Sequence, residues 1–183
     1  MSAEWFKKRR VTPKDDFKYY LEQEVILFSE SILKDYGNKK QPCEGFVYWA
    51  GTKEGDSIYI NSAIAPNTFS EPFKVMVSHE DNFQFIKVLA ANSLIQIGQV
   101  HSHPGDWVDH SDGDDELAGG KVNGLISVVV PNYGVNGFMD FKKSGVHRYE
   151  KGKFIRLTNK YVNKHFQVLK TGAKLILDLR KYS

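Results

Sequence analysis

The sequence predicts a single α/β domain in which helices flank a mixed central β-sheet. Three observations indicate it: helical and strand patterns alternate through the first two-thirds of the chain, 41% of residues are hydrophobic, and there are 183 residues. A chain of this length buries a substantial core without splitting into two. We therefore expect one domain over residues 1–183, with a motif-bearing core at about 15–150 and a tail, 151–183, whose structure the sequence does not define.

Local patterns predict the first elements in chain order. Apolar residues at helical spacing predict a helix over residues 17–36. Residues 43–51 (CEGFVYWAG) and 57–66 (SIYINSAIAP) are rich in aromatic and β-branched side chains, and they predict a hairpin that turns at KEGD. A second helix is predicted over residues 78–93, because Ser78 is a suitable N-cap and acidic residues follow it.

The second half of the chain predicts mainly strands. Residues 94–103 (LIQIGQVHSH) predict a strand, and a short helix is expected from Ser111 after an intervening loop. GLISVVVP, residues 124–131, is the most apolar predicted strand, and GFMDFK and GVHRYE suggest a further hairpin. We expect a helix in residues 160–183, where apolar and basic residues mix.

Composition narrows the class of protein. The net charge of +3 comes from 25 basic and 22 acidic residues, a balance that does not indicate a nucleic-acid groove. Cys43 is the only cysteine, so no intrachain disulfide forms and a reducing compartment is expected. No segment matches a signal peptide or the roughly 18 apolar residues of a membrane span. We expect a cytoplasmic protein without nucleic-acid or membrane partners.

One stretch, HSHPGDWVDHSDGDD at residues 101–115, concentrates titratable groups directly after a predicted strand. Alternate side chains of a strand share a face, so His101 and His103 point together and are suitable first ligands for zinc. Asp114 is the candidate third ligand, and an open fourth position would make the site catalytic. Ser111 lies three residues earlier, so a helix there would place its hydroxyl beside the Asp114 carboxylate.

Structural alternatives exist for each of these residues. Ser111 and Asp114 also fit a capping box that only satisfies backbone N–H groups, and a histidine at a strand end is commonly structural. The combined pattern of His-x-His, a gap of seven and Ser-x-x-Asp favours the metal site. Glu44 is the candidate general base, because a carboxylate among apolar strand residues costs free energy to bury and is therefore a candidate functional group. A solvent-facing position at a strand edge explains Glu44 equally well.

Together, Glu44, His101-Ser102-His103-Pro104 and Ser111-x-x-Asp114 resemble the signature of the JAMM (JAB1/MPN/Mov34) zinc metalloproteases. The resemblance covers about residues 15–150 and implies a JAB1/MPN-like domain. It implies that His101, His103 and Asp114 bind Zn²⁺ with water as fourth ligand. Glu44 would carry the proton of that water to the leaving amine, and Ser111 would stabilise the oxyanion. The family pattern assigns no role to the other charged or titratable residues of this loop, and most of them are expected to be exposed to solvent: Asp106, Asp109, His110, Asp112 and Asp115.

The resemblance also implies a substrate class. Members of this family cleave the amide or isopeptide bond after the C-terminal Gly of ubiquitin or a ubiquitin-like protein, whose extended tail adds as a strand in a narrow groove. Trp107 would cover that tail or pack half-buried. The compact chain and its VVVPNYG turn resemble bacterial deubiquitinase-like JAB isopeptidases that work beside E1- and E2-like enzymes, including those of antiphage operons.

Three alternatives stay open at this point. A non-catalytic MPN scaffold would keep the fold without metal, although such proteins typically lose motif residues. A JAMM hydrolase of a small amide or a sulfur-carrier adduct would share the chemistry and differ in substrate. A calcium-binding loop fits poorly, because the order D-x-[DN]-x-[DN]-G is absent.

Overall fold

The computed structural model describes residues 9–111, 113–114 and 121–181, and within them a ten-stranded mixed sheet is flanked by helices, which confirms the predicted α/β class. The strands are β1 Arg10–Val11, β2 Lys18–Glu22, β3 Phe46–Glu54, β4 Ser57–Ala65, β5 Phe69–Glu71, β6 Lys74–Met76, β7 Ile95–Ser102, β8 Ile126–Val130, β9 Gly145–Glu150, β10 Lys153–Leu157, β11 Phe166–Leu169 and β12 Leu175–Asp178. The helices are α1 Gln23–Gly37, α2 His79–Ala91 and α3 Asn159–His165, and a 3-10 turn spans Asn132–Gly134.

The order of the strands places β7 near the middle of the sheet. That order is β1-β10-β9-β8-β7-β3-β4-β2-β11, with β12 also paired to β4, while β5 and β6 form a separate hairpin. β7 is antiparallel to β3 and parallel to β8. Parallel neighbours need a crossover connection, and here the crossover, residues 103–125, carries most of the HSHPGDWVDHSDGDD stretch.

The two faces of the sheet bury different side chains, because alternate residues of β3 point in opposite directions. Val47 and Trp49 belong to the core that includes α1 residues, whereas Phe46 and Tyr48 belong to the core that includes α2 residues. Tight contact between β7 and β8 requires glycine at one position, since a Cβ atom on Gly98 would lie 2.6 Å from the Ile126 carbonyl oxygen. β7 and β8 therefore pack closely at the middle of β7.

Several predicted elements are confirmed. β3 and β4 form the expected hairpin, and β7, β8 and β9 lie where strands were predicted. The Ser78 hydroxyl accepts the backbone N–H of Asp81 at 3.1 Å, as an N-cap of α2 should. No helix among the described residues is long and apolar enough to cross a membrane.

Other predictions were wrong in part. The predicted helix over residues 17–36 begins only at Gln23, because residues 18–22 form β2, parallel to β4 and β11. GFMDFK is not a strand: it forms turns that bury Phe138 and Phe141, and β9 pairs with β10 instead. The helix predicted over residues 160–183 is limited to α3, and two strands follow it, because β11 and β12 complete the sheet beside β2 and β4.

Candidate metal centre

Three side chains converge at the end of β7 and on the crossover that follows it. His101 is the penultimate residue of β7, His103 follows directly after the strand, and Asp114 lies in a helical turn. All three are buried, with exposures of 2%, 3% and 7%. One ligand atom from each lies within 4.8 Å of the others, so the three groups form a cluster suited to a metal ion.

The separations between these atoms fit a tetrahedral ion. The two Nε2 atoms of His101 and His103 are 3.1 Å apart, and the Asp114 carboxylate lies 3.1 Å from His103 Nε2 and 3.5 Å from His101 Nε2. Ligands held roughly 2.0–2.1 Å from a tetrahedral ion lie about 3.3–3.4 Å from one another. Two imidazole nitrogens and one carboxylate oxygen are also donors that zinc commonly uses. The residues present therefore fit a metal ion.

A backbone contact fixes the ring of His103. Its Nδ1 lies 3.2 Å from the Trp107 carbonyl oxygen. A carbonyl oxygen can only accept, so Nδ1–H donates and Nε2 keeps its lone pair directed at the cluster. The indole of Trp107 stacks on the same ring, with centroids 5.1 Å apart, while 41% of the residue stays exposed. Trp107 thus forms one wall of the site.

Electrostatic coupling ties the three groups together. Burial lowers the pKa of His101. Burial acts in the same direction on His103, but its hydrogen bond to Asp114 and the charge of that carboxylate offset burial, and the pKa of His103 is raised. Burial opposes ionisation of Asp114, yet the two histidines outweigh it and lower the pKa of the carboxyl. Asp114 is therefore an anion beside two imidazoles, as a cation site requires.

Ser111 and Asp114 form a capping box. The Ser111 N–H donates to Asp114 Oδ2 at 2.7 Å, and the Asp114 N–H donates to Ser111 Oγ at 3.1 Å. The structural alternative is thus present, and it coexists with the cluster, since the same carboxylate faces both histidines. The cap orients Asp114 and places the Ser111 oxygen next to it, and this oxygen acts only as an acceptor in the hydrogen bonds among the described residues.

Glu44 lies just before β3, rather than inside the strand as predicted, and it is 4% exposed. Its position depends on Ser102, a residue that the sequence interpretation left without a role. The Gly45 N–H donates to Ser102 Oγ at 3.0 Å, and the Ser102 N–H donates to the Gly45 carbonyl at 3.1 Å. Because Ser102 sits between the two histidines, this pair of bonds holds Glu44 beside the cluster.

The environment of Glu44 favours its neutral form. Burial raises the pKa of its carboxyl to about 7, against the opposing charge of His103 and with an added contribution from Asp114. Both interactions place the carboxyl within electrostatic reach of the cluster. A carboxyl with this pKa can both hold and release a proton near neutral pH.

The expectation of a solvated acidic loop was wrong for Asp109 and His110, which are 1% and 2% exposed. Asp109 Oδ1 accepts from Arg156 at 2.9 Å and lies 3.7 Å from Nε2 of the buried His147. His110 Nε2 and Ser127 Oγ are 2.8 Å apart. Asp106 is exposed as expected, whereas Asp112 and Asp115 lie outside the described residues. The loop therefore packs a buried polar network behind the histidines.

Comparisons with known proteins agree with a metal-dependent hydrolase. The chain is 30% identical over 134 residues to the "Probable metalloprotease y4jG" of Sinorhizobium fredii, a match that covers 71% of this chain and 80% of that protein. No family model matches the chain.

Two solved structures are also similar to this chain. Protein DSY2949 from Desulfitobacterium hafniense has a TM-score of 0.59 at 14% identity, over 84% of this chain and 94% of that one. A JAB1/MPN domain protein from Archaeoglobus fulgidus has a TM-score of 0.39 at 16% identity, over 84% of this chain and 98% of that one. The first of these likenesses indicates a shared fold.

Proposed function

This chain belongs to the JAMM (JAB1/MPN) family of metalloproteases, and from that premise we propose that it is a zinc-dependent isopeptidase or peptidase. Its substrate is the amide bond that follows the C-terminal Gly of a ubiquitin-like modifier, in a conjugate or a precursor. The observation that carries the proposal is the buried Glu44 carboxyl, held within electrostatic reach of a compact cluster of two histidines and one aspartate. A non-catalytic MPN scaffold would need neither the metal-binding cluster nor a buried carboxyl beside it.

His101, His103 and Asp114 would hold the zinc ion. When bound, zinc polarises a carbonyl oxygen and lowers the pKa of its water to about 7. Glu44 would accept a proton from the attacking water and pass it to the leaving amine, a double task that suits a carboxyl whose pKa is raised by burial. The Ser111 hydroxyl, beside the Asp114 carboxylate, donates to the oxygen of the scissile carbonyl as negative charge develops there.

The surroundings of Glu44 support a polypeptide substrate. The Glu44 N–H donates to the Glu71 carbonyl at 3.0 Å, so the β5–β6 hairpin borders the site. β5 and β6 pair only with each other among the described residues, which leaves an edge that an extended tail could join as a strand. Trp107 forms another wall of the site and is placed to cover such a tail.

Exposed apolar side chains near this hairpin support a folded partner rather than a small amide. Phe69 and Phe73 on the hairpin are 60% and 80% exposed, and Phe83 and Ile86 on α2 are 55% and 57% exposed. Val75 of β6 and Phe85 of α2 share one core, so the hairpin and the helix pack together. Exposed apolar surface of this kind marks protein interaction sites.

The proposal includes the class of reaction that supplies the substrate. E1- and E2-like enzymes form the amide bond to a modifier's C-terminal Gly, and this protein reverses that step in a bacterial conjugation or antiphage system. We place this activity in the cytoplasm, where such enzymes work.

Reconstitution with zinc tests the proposal. We expect one zinc ion per chain by elemental analysis, and cleavage after Gly when ubiquitin-like proteins are fused through that residue to a reporter protein by a peptide or an isopeptide bond. Glu44→Gln should keep the zinc and lose cleavage by about 10²–10⁴-fold. No bound zinc would indicate a scaffold, and cleavage restricted to a small Gly-amide would refute the polypeptide substrate.

A further inference from the structure

The turn PNYG that follows β8, residues 131–134, has a strained backbone. Asn132, Tyr133 and Gly134 have successive φ angles of 53°, 53° and 74°. Glycine adopts such angles readily, but residues with a Cβ atom adopt them only at a cost in free energy. Strained residues persist where surrounding contacts impose the conformation, and they cluster at functional sites. The contacts of this turn therefore indicate its role.

Backbone hydrogen bonds join the turn to the segment that carries a candidate metal ligand. The Tyr133 N–H donates to the His103 carbonyl oxygen at 2.8 Å, and the Asn132 N–H donates to the Gly105 carbonyl oxygen at 2.7 Å. The His103 N–H in turn donates to the Val130 carbonyl oxygen at 2.9 Å. The backbone of Tyr133 is thus fixed relative to His103.

The side chain of Tyr133 reaches from this turn to the β5–β6 hairpin. Its hydroxyl donates to the Pro72 carbonyl oxygen at 3.1 Å, and Pro72 lies between the two strands of the hairpin. The carbonyl of the preceding residue, Glu71, accepts the Glu44 N–H at 3.0 Å. Two consecutive carbonyl groups of the hairpin are therefore bound by Glu44 and Tyr133, which both adjoin the metal centre.

Electrostatic interactions agree with this placement. Tyr133 is half-buried, burial raises the pKa of its hydroxyl, and the charges of Glu44 and Cys43 raise it further. The phenol is therefore within electrostatic reach of Glu44. It also stays protonated at neutral pH, as a donor to the Pro72 carbonyl must.

We propose that Tyr133 is a positioning residue, which holds the β5–β6 hairpin in place relative to the metal centre so that a polypeptide tail bound along the hairpin presents its scissile bond there. This inference rests on the proposed function. The Tyr133 hydroxyl is engaged by Pro72, so it acts through the hairpin and takes no part in proton transfer or zinc binding. Without the hydroxyl the hairpin moves more freely, which weakens binding of a polypeptide and leaves the chemical step intact.

Tyr133→Phe tests the proposal, because it removes the hydroxyl and keeps the ring. In the zinc-loaded protein, hydrogen exchange at the hairpin amides, residues 69–76, should become roughly 3–10-fold faster, the change expected for one lost hydrogen bond. Zinc content should not change. For a ubiquitin-like protein fused through its C-terminal Gly to a reporter protein, KM should rise by a similar factor while kcat stays within about twofold. Tyr59→Phe, at a half-buried position on β4, is the matched control and should alter none of these values.

Tyr133→Gly separates the side chain from the strained backbone, since glycine adopts a positive φ without cost. Hairpin exchange and KM should rise at least as much as in Tyr133→Phe, because the hydrogen bond to Pro72 is lost in both. Values equal to those of the unsubstituted protein would show that the backbone of the turn alone holds the hairpin, and would overturn the proposal.

The two readouts separate this proposal from the proposed function. Unchanged hairpin exchange in Tyr133→Phe would overturn the positioning role, whatever the activity. Faster exchange with an unchanged KM, or a loss confined to kcat, would overturn the role in substrate binding. If the unsubstituted protein cleaves no fusion, the proposed function fails, and the exchange rates alone decide whether Tyr133 holds the hairpin.

Discussion

Replacing Glu44 with Gln should stabilise the metal-free protein at alkaline pH while leaving its stability at acid pH nearly unchanged. Burial raises the pKa of this carboxyl from 4.5 to about 7. An acid whose pKa is higher in the folded state binds more protons when folded, so stability falls as the pH rises from 4.5 through 7. At 1.36 kcal/mol per pKa unit, ionised Glu44 costs the folded state on the order of 3 kcal/mol above pH 7.

The neutral amide of Gln removes that cost. The difference in free energy of unfolding between Glu44→Gln and the unsubstituted protein should therefore be small at pH 4.5 and should grow to about 2–3 kcal/mol at pH 8. Urea unfolding followed by circular dichroism, after removal of metal with EDTA, measures it. Glu54→Gln removes an exposed carboxylate and should change stability by less than about 0.5 kcal/mol at both pH values.

Zinc should reduce or remove this difference in stability. A bound cation near Glu44 favours the ionised carboxylate, so the advantage of Glu44→Gln should shrink or disappear in the zinc-loaded protein. Equal urea midpoints for the two metal-free proteins at pH 8 would refute the claim that burial of Glu44 opposes its ionisation. The argument for its action as a proton carrier would then lose its physical basis.

Five further substitutions separate the functions of the site. His103→Ala and Asp114→Ala should each abolish stoichiometric zinc binding in elemental analysis, unlike Glu44→Gln; retained zinc would contradict the ligand assignment. Ser111→Ala should lower kcat about 10²–10³-fold and stability by about 1 kcal/mol through loss of the cap, with zinc content unchanged; a normal kcat would leave Ser111 as a cap alone. Asp109→Ala should destabilise the fold by on the order of 3 kcal/mol in urea, because Arg156 and His147 lose their carboxylate; a loss below about 1 kcal/mol would contradict that account. Trp107→Ala should raise KM for protein substrates more than for a small Gly-amide, and equal effects on both would argue against contact with the tail.

Local interactions explain why parts of the fold could be predicted. The N-cap of α2 at Ser78, the hairpin of β3 and β4, and the alternation that puts His101 and His103 together depend on residues close in sequence. Residues 18–22 fit a helical pattern but form a strand, because pairing with β4 and β11 selects the strand conformation. That pairing involves residues about 40 and 150 positions away, which no local pattern records.

The candidate site divides in the same way. The type and spacing of the candidate ligand residues follow from local sequence alone, since a strand fixes which side chains share a face and a capping box fixes Ser111 beside Asp114. Long-range pairing brings Glu44 to them, through the hydrogen bonds between Gly45 and Ser102.

The burial of Asp109 and His110 likewise depends on contacts between residues distant in sequence. Their polarity predicts a solvated loop, but Arg156, His147 and Ser127 come from three strands that follow the loop in sequence. A buried polar group is tolerated only where partners meet it, and distant strands supply those partners. Sequence periodicity therefore determines which groups can act together, and long-range packing determines which of them are removed from water.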